Sequence, residues 1–229
     1  STTWAARWSC RGFVEGHVHL HLGGSQVAFE LPLLPSDDVD TILGKVRDWT
    51  GSLPPDAGVV GGIVGSTVMD GLGDAEKLAR LDEAARGRPV LLRDDTMHNR
   101  WVSSGALELM GVGPDTPDPE GGRYVRDSCG RLTGVLQELA SAQAEAAFTA
   151  SITDRDARTA SAMRTAIQVL NGYGITSAQD AATMLGPARA LAAIEAAGEL
   201  NARVVLSTPV RPFLEEGIIG EELIAEVAT

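Results

Sequence analysis

Short apolar runs alternate with longer stretches of helical periodicity along most of this chain, and that rhythm limits the folds open to it. Residues 13–20 (FVEGHVHL), 58–64 (GVVGGIV), 89–93 (PVLLR), 175–179 (ITSAQ) and 203–210 (RVVLSTPV) read as strands. Between them, 39–50, 74–86, 103–111, 137–149, 153–171 and 185–198 place apolar residues at helical spacing, and the acidic tail 214–227 is helical as well. Ser36 or Asp37, Ser103 or Ser104, and Thr153 offer N-cap side chains, while Gly87 and Gly198 suit helix ends. Strands that alternate with helices of this length imply crossover connections and a parallel sheet. The expected fold is therefore α/β. About five such strands fall short of the eight in a closed (β/α)8 barrel, which typically takes about 250 residues. Residues 122–136 carry two short runs around Ser128-Cys129-Gly130, a β-hairpin signal set into the alternation. Without an internal repeat or a visible linker, a single domain over 1–229 is the expectation.

Charge narrows the function classes. Against 19 Lys and Arg stand 31 Asp and Glu, a formal net charge of −12 over 229 residues. Such a chain repels a phosphate backbone, which argues against nucleic acid as partner. No run approaches the roughly 18 apolar residues of a membrane span, and the first residues hold no apolar stretch of signal-peptide length. Two cysteines, Cys10 and Cys129, make neither a disulfide framework nor a four-thiolate zinc site. The expectation is a soluble, cytoplasmic protein that acts on a small-molecule substrate. Unpaired sheet edges would favour a homo-oligomer.

The feature richest in chemistry is Gly16-His17-Val18-His19-Leu20. Residues two apart in a strand project to one side, so His17 and His19 would point together. Two imidazoles on one face make half a site for Zn2+ or a similar divalent ion. Two hydrogen-bonded histidines at a strand end would satisfy the same pattern. A dinucleotide fold is disfavoured: the glycines of 58–65 lack the fingerprint spacing, and no P-loop Gly-Lys-Ser/Thr occurs.

The segment RGFVEGHVHLHLGG (11–24) resembles the first strand of the amidohydrolase superfamily, usually Pro-Gly-Phe-(Val/Ile)-Asp-x-His-x-His. RPVLLRDDTMHNRWVSSGALELMGV (88–112), TPDPEGGRYVRDSCGRLTGVLQELA (116–140) and GYGITSAQDA (172–181) look like successive blocks of its amidohydrolase-3 branch, which includes N-substituted formamide deformylase. The likeness implies a (β/α)8 TIM-type barrel, incomplete in this chain, with a divalent metal, by preference zinc, at the C-terminal strand ends. It implies His17 and His19 as metal ligands. Glu138 falls where the family has an acidic residue after the hairpin, a metal carboxylate or a bridge between two metals. An exposed carboxylate at a helix start is the alternative. His98 matches the histidine of an Asp-Gly-His block and would contact substrate or position its loop. Asp180 matches the acid of Gly-Ile-Thr-Ser-x-x-Asp-Ala, a substrate contact or a cap for the following helix. The implied reaction is hydrolysis of a non-peptide C–N bond, of amide or N-formyl type, by metal-activated water.

Several positions depart from that pattern. Cys10-Arg11 stands before Gly12-Phe13 where a small or apolar residue and Pro are usual, and Glu15 replaces Asp. Thr96-Met97 replaces Asp-Gly, Ser103 replaces Asn, and Cys129 takes a turn position common to Asp or Asn. The family draws further histidines and a catalytic Asp from later strands, whereas no histidine follows His98 here, and no general base is identifiable. The chain is expected to be a fragment, an incomplete sequence or a degenerate relative. The rival expectation is a non-catalytic barrel remnant that serves as a binding or partner-dependent module.

Overall fold

A computed structural model describes residues 11–54, 57–209 and 220–227. In chain order the elements begin with β1 (Phe13–Val18), α1 (Leu20–Phe29), β2 (Leu31–Pro32), α2 (Val39–Ser52), β3 (Val59–Val64), α3 (Ser66–Asp70) and α4 (Ala75–Ala85). They continue with β4 (Val90–Asp94), β5 (Asn99–Val102), α5 (Ser104–Leu109), β6 (Gly122–Arg126), β7 (Leu132–Glu138) and α6 (Leu139–Ser151). The last are α7 (Arg155–Gly172), β8 (Ile175–Ala181), α8 (Leu185–Ala196), β9 (Arg203–Ser207) and α9 (Gly220–Val227). Two sheets result, one ordered β1-β8-β9, the other β2-β3-β4-β5-β7-β6. The chain falls into two compact units: residues up to Ala28 with those from Asp154 onward, and Phe29–Thr153.

This corrects the expected single parallel series. The runs at 58–64 and 89–93 lie in the six-stranded sheet, not in the sheet that holds the histidine pair. The six-stranded sheet is mixed: β2, β3 and β4 are parallel, while β5, β7 and β6 follow antiparallel. Among the described residues neither sheet closes on itself.

In the Phe29–Thr153 unit, alternate residues of single strands go to opposite cores. Val90 and Leu92 join Trp101, Val135 and the apolar faces of α2 and α4 (Ile42, Val46, Leu81, Ala84). Leu91 joins Val102, Leu136 and residues of α5 and α6 (Leu107, Ala144, Phe148). A strand covered by helices on both faces needs apolar side chains at every position, which explains the unbroken PVLLR run. Antiparallel pairing of β6 with β7 makes the hairpin. At its turn the left-handed residue is Gly130 (φ +79°) rather than Cys129, and Asp127 Oδ1 accepts the amides of Cys129 and Arg131.

The other unit is a parallel sheet with helices on one face. Val204 and Leu206 of β9 pack with Leu20 of α1, Met163 and Ile167 of α7, and Leu191 and Ile194 of α8. On the opposite face Val14 is 74% exposed and Val205 48%. Gly23 and Gly24 lie inside α1. A Cβ at Gly24 would stand 2.0 Å from the carbonyl oxygen of Ala162 in α7, so close helix approach demands glycine here. Two cap assignments also shift. Asp38 caps α2 through the Thr41 amide, because Asp37 is taken by the Leu34 amide and Lys45. Asp154, not Thr153, caps α7 through the Ala157 amide. The start expected for the tail helix at 214 lies outside the described residues; from Gly220 the tail is helical. No helix among the described residues is long and apolar enough to cross a membrane.

Candidate metal centre

β1 runs parallel to β8, and the pair of histidines sits at its C-terminal end. The register changes between Glu15 and Val18: three steps on β1 oppose two on β8, from Ala178 to Asp180. Such a bulge re-aims side chains, and here it holds Gly16 and His17. Glu15 Oε1 accepts the His17 amide across the bulge at 3.1 Å. His19 lies one residue past the strand, immediately before α1. The two imidazoles meet edge to face, their centroids 5.2 Å apart with planes at 87°.

The His19 ring is oriented by β8. Its Nδ1 lies 2.9 Å from the carbonyl oxygen of Ala181. A carbonyl only accepts, so Nδ1 carries the hydrogen and, in the neutral ring, Nε2 carries the lone pair. A second nitrogen bonded to a backbone carbonyl is the arrangement that orients metal-ligating histidines. The pair therefore fits two positions of a divalent ion's ligand set. Among the described residues no group of three His, Cys, Asp or Glu side chains converges to complete one.

Asp180 does not reach solvent. It is 2% exposed; Oδ1 accepts the Leu20 amide at 2.8 Å, and Oδ2 accepts the Thr183 hydroxyl at 2.7 Å. Burial raises its pKa, against the lowering pull of those two donors and of the neighbouring His19 and His21. The carboxylate thus caps the first residue of α1, from an element 160 residues away, and not the helix that follows it. The N-cap of α8 is Met184, without a side-chain bond.

His98 and Glu138 belong to the other unit, where the start of β5 and the end of β7 lie side by side inside the six-stranded sheet. His98 Nδ1 lies 3.0 Å from Glu138 Oε2, and both side chains are exposed. That hydrogen bond, with the adjacent negative charge, raises the His98 pKa. Their backbones are joined as well: the His98 carbonyl accepts the Glu138 amide and the Ser141 hydroxyl, each at 2.9 Å. Glu138 occupies the N-cap position of α6 at φ +52°, ψ −120°, with no side-chain cap bond. A non-glycine residue there stores roughly 1–3 kcal/mol, and such strain gathers at functional sites.

The turn before His98 holds two departures from the family pattern, Thr96 and Met97. Buried Asp94 accepts the Asn99 amide, the Asn99 side-chain amide and the Thr96 hydroxyl, and Thr96 Oγ1 in turn accepts the His98 amide. Burial works to raise the Asp94 pKa, but the Thr96 and Asn99 bonds outweigh it and the net shift is downward. Met97, where glycine is usual, has φ +63°. Near this turn Glu145 of α6 accepts Arg93 Nε of β4 and Arg100 Nε of β5 at 2.7 and 2.6 Å, and Glu30 pairs with Arg93. Asp94 and Glu145 carried no motif signal; only their places under the turn single them out.

The sequence model of the amidohydrolase family, Amidohydro_3, matches residues 12–227. The chain belongs to the amidohydrolase family. Its curated relatives include the amidohydrolase YtcJ of Bacillus subtilis, 33% identical over 129 residues, covering 56% of this chain and 24% of that protein. N-substituted formamide deformylase of Arthrobacter pascens is 27% identical over 192 residues, covering 82% of this chain and 35% of that one. The chain thus spans about a quarter to a third of the length of these relatives. An uncharacterized metal-dependent hydrolase from Pyrococcus horikoshii superposes with a TM-score of 0.62 over 86% of this chain and 36% of its own, at 16% identity. One from Pyrococcus furiosus gives 0.57 over 86% and 37%, at 18% identity. At those identities the likeness is one of fold.

Proposed function

We propose that this amidohydrolase is part of a metal-dependent hydrolase that cleaves a non-peptide C–N bond of amide or N-formyl type. The observation that carries the reading is the His17–His19 pair at the end of a parallel strand, with the His19 ring anchored on the Ala181 carbonyl. Catalytic groups gather at the C-terminal ends of strands in barrels, and the β1-β8-β9 sheet is read as an arc of such a barrel.

His17 and His19 would hold the cation, zinc by preference, through neutral imidazole nitrogens. A bound cation of this kind lowers the pKa of a water and polarises a carbonyl. The Ala181 carbonyl holds the His19 ring before any ligand arrives, so its ordering is not charged to binding. Glu138 is proposed as a further carboxylate ligand and His98 as a substrate contact, both on the likeness of their sequence blocks. Glu138 raises the His98 pKa, so the ring retains its proton to higher pH than an isolated histidine.

The test is metal content of the purified chain, with turnover of a panel of N-formyl and N-acyl amines. Wild type is expected to bind close to one divalent ion, and His17→Ala and His19→Ala to lose it. An unchanged metal content in both variants refutes the assignment. The missing convergent third ligand among the described residues favours a second reading, a non-catalytic remnant of the barrel. A metal-free oligomer on size exclusion, inert toward the whole panel, would establish it.

A further inference from the structure

Asp180 is a carboxylate spent entirely on one junction. Its Oδ1 takes the Leu20 amide, the residue directly after His19. Its neighbour Ala181 takes the His19 ring. Thr183 fixes the carboxylate by donating to Oδ2 at 2.7 Å, and the same hydroxyl also lies 3.0 Å from the Asp180 carbonyl. Backbone and side chain on both sides of His19 are therefore clamped to the end of β8. Parallel pairing reaches this point too, since Val18 is the register partner of Asp180. Leu20 itself is buried in the α1, α7 and α8 core.

We propose that Asp180, held by Thr183, is a positioning residue that sets the His17–His19 pair through the Leu20 amide. The inference rests on the metal reading of that pair. Without the clamp, the link between β1 and α1 loses its fixed exit, and the Nδ1–Ala181 bond that selects the His19 tautomer goes with it. Residues that orient metal ligands are typically worth about 10- to 100-fold in affinity. An amide at position 180 still presents an oxygen to Leu20 and can donate its nitrogen to Thr183 Oγ1, so Asp180→Asn preserves the geometry.

The experiment measures Co2+ affinity by its visible absorption in the full chain, and the His19 tautomer by long-range 1H–15N correlation in the metal-free protein. Asp180→Ala is expected to lower Co2+ affinity about 10- to 100-fold and to move His19 from the Nδ1–H toward the Nε2–H form, with Asp180→Asn close to wild type. A purely structural role would change the unfolding midpoint and leave both readouts in place. Should Asp180→Ala not fold, Thr183→Val decides: weaker Co2+ binding supports the proposal, and unchanged binding overturns it. If wild type binds Co2+, and His17→Ala and His19→Ala lose it, while Asp180→Ala binds as wild type does, only the positioning role falls. If wild type takes up no Co2+, the metal reading and this inference fall together.

Discussion

Replacing Glu145 with Gln isolates what holds the strand ends around His98 and Glu138 in place. Glu145 stands on α6, seven residues after Glu138, and accepts three bonds: Arg93 Nε at 2.7 Å, Arg93 Nη2 at 3.0 Å and Arg100 Nε at 2.6 Å. Arg100 is buried and also donates to the carbonyls of Met97 and Asn99. Gln removes the charge shared by two guanidinium groups and points an N–H at Arg93 Nη2. Breaking one partner of a buried ion pair costs about 3–5 kcal/mol. The low end, roughly 3 kcal/mol, applies because Glu30 stays on Arg93 and Glu145 is itself half-buried. Urea unfolding at pH 7 followed by far-UV circular dichroism reads this directly. The pH dependence carries a second test. Burial works to raise the Glu145 pKa, the two arginines outweigh it, and the folded value is lowered. A lowered carboxylate contributes fully above its unfolded pKa and loses that contribution as pH falls through the folded one. The gap between wild type and Glu145→Gln should therefore be full at pH 7 and close on acidification below the ordinary glutamate range. A gap under about 0.5 kcal/mol at pH 7, the scatter of plain surface substitutions, or one that widens in acid, refutes the argument.

Three further outcomes are expected. Met97→Gly should stabilise the chain by about 0.5–1 kcal/mol in urea, since relief of a left-handed φ, about 1–2 kcal/mol, exceeds the entropy cost of glycine; destabilisation contradicts the assigned turn. Gly24→Ala should cost at least about 1–3 kcal/mol by the same assay, because the Ala162 carbonyl cannot yield without moving α7, and a neutral effect would mean α1 and α7 do not approach as described. Glu138→Gln should bring the His98 pKa, followed by NMR, down toward the ordinary 6.5, so the ring loses its proton at lower pH than in wild type; an unmoved titration would show that the two do not pair.

Much of this was legible in the residues. The helices at 74–86 and 185–198 show themselves by period and ending glycine, and Ser103 caps α5 as its position suggests. The hairpin follows from its turn, and the family from four blocks in order. What stayed hidden is non-local. β1 finds its partner at 175–181, past an entire second unit, and no local pattern states which of several similar apolar runs will pair. β5 (NRWV) opens with two polar residues and was unreadable as a strand, although its Trp101 and Val102 divide between two cores as a central strand's residues must.

The histidine pair shows how a correct neighbourhood can follow from an incomplete geometric argument. Strict alternation predicts that residues 17 and 19 share a face because both lie in one regular strand. In the structure the strand bulges at 16–17 and ends before 19, so alternation alone does not bring the rings together. They meet because the bulge turns one ring while β8 captures the other, through a backbone carbonyl and a carboxylate that fastens the next amide. A side-chain pattern names the two imidazoles. The groups that aim them are a main-chain oxygen, whose position no residue identity encodes, and an aspartate whose partner is a main-chain nitrogen. The two imidazoles are therefore written in sequence, and their orientation is written in the pairing of strands.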